Sequence, residues 1–216
     1  MVKMPIFPLN TVLFPGTPLS LYTFERKYQL MVEKCLKEQS HFGVVLNQEV
    51  IDSHSRQSKT HLIGCTAKIV SNKLLPDGRI HLVAVGVQRF QLFTLDHSGQ
   101  FLIEDVDFLP HPQGEPENLH RLGGNLREWI IRYNEMLKRV ELIHPQAFQL
   151  PHEPIMLAYI GAFILQINNQ QKQALLEEQQ AEALLESCLT HFRRELPLLP
   201  YIDRPKNLGR DQGHLN

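Results

Sequence analysis

A long β-hairpin constrains the fold of this chain more than any other part of its sequence. Two runs rich in Val, Ile and Leu, residues 62–75 and 79–95, are separated by the tripeptide Pro-Asp-Gly at 76–78. Asp-Gly between such runs predicts a tight hairpin turn, because glycine accepts the positive φ that the turn requires. Gly86 lies inside the second run, where a missing side chain indicates a β-bulge or a barrel corner.

Further strands are predicted on both sides of the hairpin. Residues 41–47 (HFGVVLN) and 101–109 (FLIEDVDFL) complete what we expect to be a closed or nearly closed antiparallel sheet. Near the N-terminus, the stretch FPLNTVLFPG at 7–16 predicts a first strand in its central run. Pro8 and Pro15 cannot donate to a strand ladder, so they confine that strand to an edge or a barrel corner. The glycine after the second proline permits a turn.

One helix interrupts the predicted strands. From Glu25 to Gln39 the apolar side chains recur at i, i+3 and i+4, which predicts an amphipathic helix. Thr23 precedes it and is the residue that we expect to cap its first turn.

The composition changes after Leu109. Residues 110–118 contain three prolines and a glycine, which resist regular structure. Beyond them the apolar period becomes helical and predicts three antiparallel helices, the last at 170–196. The predicted organisation is therefore a strand-rich domain at 1–109, a linker at 110–119, a helical bundle at 120–200 and a tail at 201–216.

Charge and apolar patterning argue against nucleic acid and membranes as partners. The chain has 22 Lys and Arg residues against 23 Asp and Glu, whereas nucleic-acid binding depends on clustered cations. The apolar run Ile155–Leu165 is shorter than the roughly 20 residues that a membrane-spanning helix needs, and the N-terminus lacks the apolar core of a secretory signal. Three cysteines far apart in the sequence favour reduced core thiols and a cytoplasmic location.

No catalytic or metal-binding motif is recognisable. A P-loop, a GxSxG elbow and an HExxH motif are all absent from the sequence. The eleven histidines are scattered rather than spaced as metal ligands. Two Ser-Lys pairs, Ser58 with Lys59 and Ser71 with Lys73, lack the setting that activates a nucleophile. We therefore expect a protein that is not an enzyme and uses neither a cofactor nor a metal.

An ordered set of segments resembles one known family. The segments are FPLNTVLFPGTPLSLYTFERKY at 7–28, FGVVL at 42–46, IGCTAKI at 63–69, DGRIHLVAVGVQRFQL at 77–92 and KQALL at 172–176. Together they resemble the N-terminal, substrate-binding domain of Lon proteases. The resemblance implies an α+β fold: a PUA-like antiparallel β-barrel with one helix, followed by a C-terminal helical bundle. The sequence lacks the ATPase and Ser/Lys protease modules of full Lon, and so resembles the free-standing members of the family.

The same resemblance implies a function. It suggests a non-catalytic module that binds unfolded or apolar polypeptide segments, or an adaptor or regulator of proteolysis with full-length Lon as a partner. The expected binding surface is an apolar patch rimmed by charge, formed by Phe14, Phe24, Arg26 and Lys27, with core packing as the alternative role for each aromatic side chain. The family usually has Arg where this chain has Lys27, and lysine lacks the bidentate guanidinium.

Two other functions remain as alternatives. PUA-like barrels elsewhere bind RNA, although the balanced charge of this chain speaks against that reading. A small-ligand receptor of the cereblon kind would use an aromatic cage and cysteine pairs that hold zinc, whereas this chain has a single tryptophan, Trp129, and no CxxC pair.

Overall fold

Six strands and five α-helices make up the chain in this computed structural model, which describes residues 1–52, 55–93, 102–139 and 149–201. The strands are β1 Val2–Leu9, β2 Pro18–Thr23, β3 Phe42–Asp52, β4 Ser55–Leu74, β5 Ile80–Leu92 and β6 Leu102–Phe108. The helices are α1 Arg26–Glu38, α2 Pro116–Arg139, α3 Pro154–Ile164, α4 Asn169–Glu177 and α5 Ala181–Glu195, followed by a 3₁₀ turn at Leu196–Tyr201. Strands occupy the first half and helices the second, so the mixed α+β class is confirmed.

The six strands form one sheet in the order β2-β5-β4-β3-β1-β6. β6 also pairs with β5, so the pairings of five strands return on themselves while β2 joins β5 from outside that ring. β1 and β3 are parallel, and the prediction of a fully antiparallel sheet is therefore wrong for this pair. A parallel pair needs a long crossover connection, which β2 and α1 supply here. Side-chain alternation has the same period in both kinds of pairing, so it does not reveal strand direction.

The predicted hairpin is confirmed as β4 and β5. Leu74 pairs with Ile80 across the turn, and Gly78 has a φ of 83°. The register of the ladder shifts directly after Gly86, where β5 has one residue more than β4. A side chain at Gly86 would clash with the carbonyl oxygen of Phe14. The glycine therefore lies beside a bulge and also allows the turn before β2 to approach the sheet.

The first strand lies earlier than predicted. β1 ends at Leu9, and residues 10–17 form an irregular connection instead of a strand. Pro5 and Pro8 lie inside β1, where each has a single neighbouring strand: β6 pairs with Val2–Ile6 and β3 with residues 6–9. A proline is tolerated there because its missing N–H can face the unpaired side.

The Pro15-Gly16 step forms the predicted turn. The amide of Thr17 donates to the carbonyl of Phe14 at 3.2 Å, and Gly16 has a φ of 76°. Proline followed by a glycine with positive φ is the pattern of a type II turn.

The helix α1 begins and ends within one residue of its prediction. Its N-cap is Glu25, which makes no side-chain capping hydrogen bond, and Thr23 is the last residue of β2. The predicted capping role of Thr23 is therefore wrong, because the residue is held in the strand ladder. Met31, Val32 and Cys35 are buried against the sheet, as their helical spacing predicts.

The described residues of the second half form four helices, where three are predicted. The predicted helix at 170–196 is divided at residues 178–180, where the carboxylate of Glu178 accepts hydrogen bonds from the amides of Gln179 and Gln180. These bonds let the chain turn between α4 and α5. The predicted linker is also shorter than expected, since α2 begins at Pro116. Within the part of the chain that the structure describes, no helix is long and apolar enough to cross a membrane.

The strand-rich and helical halves share a core. Val12, Phe14 and Leu46 from the first half are buried in the same apolar cluster as the side chains of α2, α3, α4 and α5. Arg89 of β5 is 3% exposed and donates to the carbonyls of Leu176 (2.8 Å), Glu178 (2.6 Å) and Pro110 (2.9 Å). The first two carbonyls lie at the C-terminal end of α4, where the helix dipole favours a cation. Whether the halves behave as the two predicted domains stays a prediction.

Candidate functional site

An exposed aromatic surface lies where β2 leads into α1. Tyr22 is next to last in β2 and 57% exposed, and Phe24 follows the strand and is 75% exposed. Alternation along β2 places Leu19 and Leu21 toward the core and Tyr22 on the outer side. We call Tyr22, Phe24, Arg26 and Lys27 the Phe24 surface.

The outer side of β2 continues onto β5. The ring of Tyr22 stacks on that of His81 with centroids 4.5 Å apart, and the guanidinium of Arg79 lies 5.6 Å from the Tyr22 ring centre. The hydroxyl of Ser20 is 3.0 Å from Nε2 of His81. The contacts with His81 and Arg79 hold the Tyr22 ring on the outer side of β5, two residues before Phe24.

Three cations at the Phe24 surface or next to it have a carboxylate partner. Lys27 Nζ lies 3.0 Å from Glu25, Arg26 lies 3.5 Å from Glu33, and Arg79 lies 2.7 Å from Asp77. The hydrogen bond that Lys27 donates to Glu25 raises the pKa of Lys27, and the one that Arg79 donates to Asp77 lowers the pKa of Asp77. The surface therefore combines exposed aromatic area with locally balanced charge, a combination suited to apolar contact more than to a polyanion.

The four sequence candidates do not all lie at this surface. Phe24, Arg26 and Lys27 are exposed and lie within the four residues 24–27. Phe14 is fully buried, with its ring 6.0 Å from that of Tyr159 in the core shared by both halves. The expectation that Phe14 presents exposed apolar area is therefore corrected: the turn at Pro15 and Gly16 docks on β5 and directs the side chain inward.

Tyr22 was missed by the sequence reasoning. Its signal was present in the run Pro18–Thr23, where apolar and exposed positions alternate. The alternation does not identify a strand by itself, because the run is short and is flanked by turn residues on both sides.

The described side chains form no reactive centre around the cysteines. Burial raises the pKa of Cys65 and of Cys188 to about 12 and also raises that of Cys35. These thiols stay protonated near pH 7, and the thiolate is the nucleophilic form. Among the residues that the structure describes, no group of three or more His, Cys, Asp or Glu side chains could hold a metal ion.

Two grooves lie away from the Phe24 surface. One of about 520 Å³ is at the C-terminal end of α1, lined by Cys35, Ser40 and Lys68 among others. The other, of about 330 Å³, lies between α2 and α5 and includes Arg121 and Arg193. Both are polar to a large extent, and neither presents the aromatic side chains found at the Phe24 surface.

Proteins similar in sequence to this chain include Lon proteases. The chain is 24% identical over 197 residues to the Lon protease of Phenylobacterium zucineum, covering 90% of this chain and 25% of that protein. It is 22% identical over 215 residues to the Lon protease of Escherichia coli K12, covering 98% of this chain and 27% of that protein. The chain thus spans about a quarter of the length of these relatives.

Solved structures show the same fold. A Lon N-terminal domain protein from Xanthomonas campestris matches with a TM-score of 0.64 and 24% identity, over 88% of this chain and 98% of that one. The N-terminal domain of Lon protease from the Mycobacterium avium complex matches with a TM-score of 0.65 and 18% identity, over 89% and 98%. The family model for the substrate-binding domain of ATP-dependent protease La (Lon) matches residues 3–194. The chain therefore belongs to the family of Lon substrate-binding domains.

Proposed function

We propose that this protein is a non-catalytic module that binds exposed apolar segments of unfolded polypeptides through the Phe24 surface. The observation that carries the proposal is the exposure of Phe24, at 75%, beside Tyr22 at 57%. An aromatic side chain of this size is a major source of contact energy when it becomes buried at an interface. Membership of a substrate-binding family supports polypeptides as the ligand class.

The proposal also covers the type of β-sheet, the helical bundle and the cellular compartment. The closed ring of strand pairings is the PUA-like barrel of the family, and α2 to α5 are its helical bundle. Three buried free thiols favour a reducing compartment, which we take to be the cytoplasm. An adaptor or regulator role beside full-length Lon would use the same surface, with the protease as partner.

RNA is a weaker candidate ligand. The cations at the Phe24 surface are each paired with a carboxylate, whereas a phosphate backbone is bound by clustered cations without such partners. A receptor of the cereblon kind would need an aromatic cage, and Trp129 lies instead on α2 between Arg132 and Arg193.

A titration tests the polypeptide proposal. The probe is fluorescein-labelled α-lactalbumin that has been reduced and carboxamidomethylated, so that it cannot refold. Phe24→Ser should raise the Kd about tenfold, because burying a phenylalanine side chain contributes roughly 1.5–3 kcal/mol and 1.4 kcal/mol is a factor of ten. The melting temperature should change little, since Phe24 has no core contacts to lose.

Two further variants control the titration. Phe108→Ser removes a phenylalanine that is 45% exposed on β6, and it should leave the Kd unchanged. Arg26→Glu should weaken binding of this acidic probe by a few fold, and that loss should shrink at high salt. Equal effects of the two Phe→Ser changes, or tight salt-sensitive binding of RNA with no binding of the probe, would contradict the proposal.

A further inference from the structure

The strand β2 has an open edge. It pairs with β5 alone, whereas each of the other strands that the structure describes pairs with at least two neighbours. The row of backbone N–H and C=O groups on an unpaired edge is a template for another strand. β2 is therefore unpaired along the whole of one side, where a further strand fits.

The register shows which backbone groups face that edge. In the antiparallel ladder Thr17 lies opposite Gly86, and the amide of Gly86 donates to the carbonyl of Thr17 at 3.0 Å. Hydrogen-bonded pairs alternate with non-bonded pairs along such a ladder. Leu19, Leu21 and Thr23 are therefore bonded to β5, while the backbone groups of the residues between them point away from β5.

Ser20 and Tyr22 supply the groups on the open edge. Both residues are exposed, and within the described residues no hydrogen bond reaches their backbone from outside the sheet. Pro18 occupies the same alternate position, where its missing N–H costs no bond to β5. The open edge thus presents two N–H donors, and three carbonyl acceptors if that of Pro18 is included.

We infer that an extended segment of an unfolded polypeptide adds to the sheet as a strand beside β2. This inference rests on the proposed function and specifies how the segment is held. Only an extended backbone offers donors and acceptors at the spacing of Ser20 and Tyr22. Side chains of the added strand then reach Tyr22 and Phe24 on one side and the half-buried Leu21 on the other.

The surroundings indicate the kind of segment that fits. Arg26, Lys27 and Arg79 each have a carboxylate partner, so we expect backbone hydrogen bonds and apolar contact to contribute most of the affinity. If the added segment has a proline opposite Ser20 or Tyr22, it has no N–H there to donate to the carbonyl of that residue. The partner is therefore an unfolded stretch that is free of proline and carries apolar side chains at alternate positions.

A backbone substitution tests strand addition directly. Ser20→Pro removes an N–H on the open edge and leaves the hydrogen bonds of Leu19 and Leu21 to β5 in place. With the lactalbumin probe described above, it should raise the Kd about tenfold or more, through the lost donor and the bulk of the ring. Ser20→Ala keeps the N–H and removes the hydroxyl that contacts His81, so it should bind as the wild type does.

Amide hydrogen exchange on the wild-type protein provides a second measurement that needs no variant. Without probe, the amides of Ser20 and Tyr22 should exchange fast and those of Leu19 and Leu21 slowly; with saturating probe, the first two should become protected. Binding of the probe with no added protection at Ser20 and Tyr22 would overturn strand addition and leave the proposed function standing. Protection that grows with protein concentration alone would identify a second copy as the occupant and would also overturn the inference. Failure of the wild type to bind the probe would count against the proposed function itself.

Discussion

At the scale of single residues, Tyr133 and Tyr159 illustrate what a buried hydroxyl contributes. Both side chains are fully buried. The hydroxyl of Tyr133 accepts a hydrogen bond from the amide of Gln166 at 3.0 Å, whereas that of Tyr159 has no hydrogen-bond partner among the described residues. Burial raises the pKa of Tyr133 to about 12 and that of Tyr159 further. Both hydroxyls therefore lose contact with water, but only that of Tyr133 gains a hydrogen bond in its place.

The two tyrosines give a matched pair of substitutions. Tyr133→Phe should lower the free energy of unfolding by about 1–2 kcal/mol, because it leaves the amide of Gln166 without its acceptor. Tyr159→Phe should change that free energy by less than about 0.5 kcal/mol or increase it, since it removes an unsatisfied polar atom. Urea unfolding of both variants checks this. A larger loss for Tyr159→Phe would show that its hydroxyl has a partner.

Phe14 and Phe24 show the limit of residue type as a guide to exposure. Both lie close to turn residues, and the sequence leaves a surface role and a core role open for both. Phe14 is buried because the turn at 14–17 is bonded to Gly86 of β5, a contact between distant parts of the chain. Phe24 stays exposed because it follows the last paired residue of β2. A contact between distant parts of the chain therefore determines which of the two side chains is buried, and the neighbouring sequence does not predict that contact.

At the scale of elements, local signals predicted the hairpin and α1 well. The Asp-Gly turn and the helical apolar stripe each depend on neighbouring residues, and both match the structure. The parallel pairing of β1 with β3 and the division between α4 and α5 were not predicted. The first depends on how a crossover packs. The second depends on the hydrogen bonds that the amides of Gln179 and Gln180 donate to Glu178, in a sequence rich in good helix formers. Of the four candidate residues, Phe24, Arg26 and Lys27 are exposed and Phe14 is buried, and their role in binding stays a prediction.

Two glycines test how their elements are built. Gly86→Ala should destabilise the protein by about 2 kcal/mol or more, because the new Cβ meets the fixed backbone of Phe14. Gly124→Ala, at an exposed position in α2 with open space around it, should stabilise the protein by about 0.5–1 kcal/mol. Thermal unfolding measures both. A neutral Gly86→Ala would mean that the turn at 14–17 does not dock as closely as described.

At the scale of the whole molecule, both halves contribute side chains to one core, whereas the proposed binding surface lies in one half. Side chains of α2 to α5 bury Val12 and Phe14 and so hold the connection between β1 and β2. The Phe24 surface and the open edge of β2 belong to the strand-rich half. The helical half thus fixes where β2 begins, while the binding surface that we propose lies on β2 and the start of α1.

Photo-crosslinking from two positions tests most directly where unfolded segments bind. Benzoylphenylalanine is introduced in place of Phe24 or, as the control, in place of Phe108. Thr23, the residue before Phe24, pairs with Ile80 of β5, and Phe108 pairs with Phe90, ten residues farther along β5 or about 33 Å along an extended strand. We predict that the residue at position 24 captures the labelled unfolded lactalbumin in a saturable manner, that unlabelled probe competes, and that position 108 captures little. Equal capture at both positions, or capture at 108 alone, would contradict the central claim that unfolded segments bind where β2 meets α1.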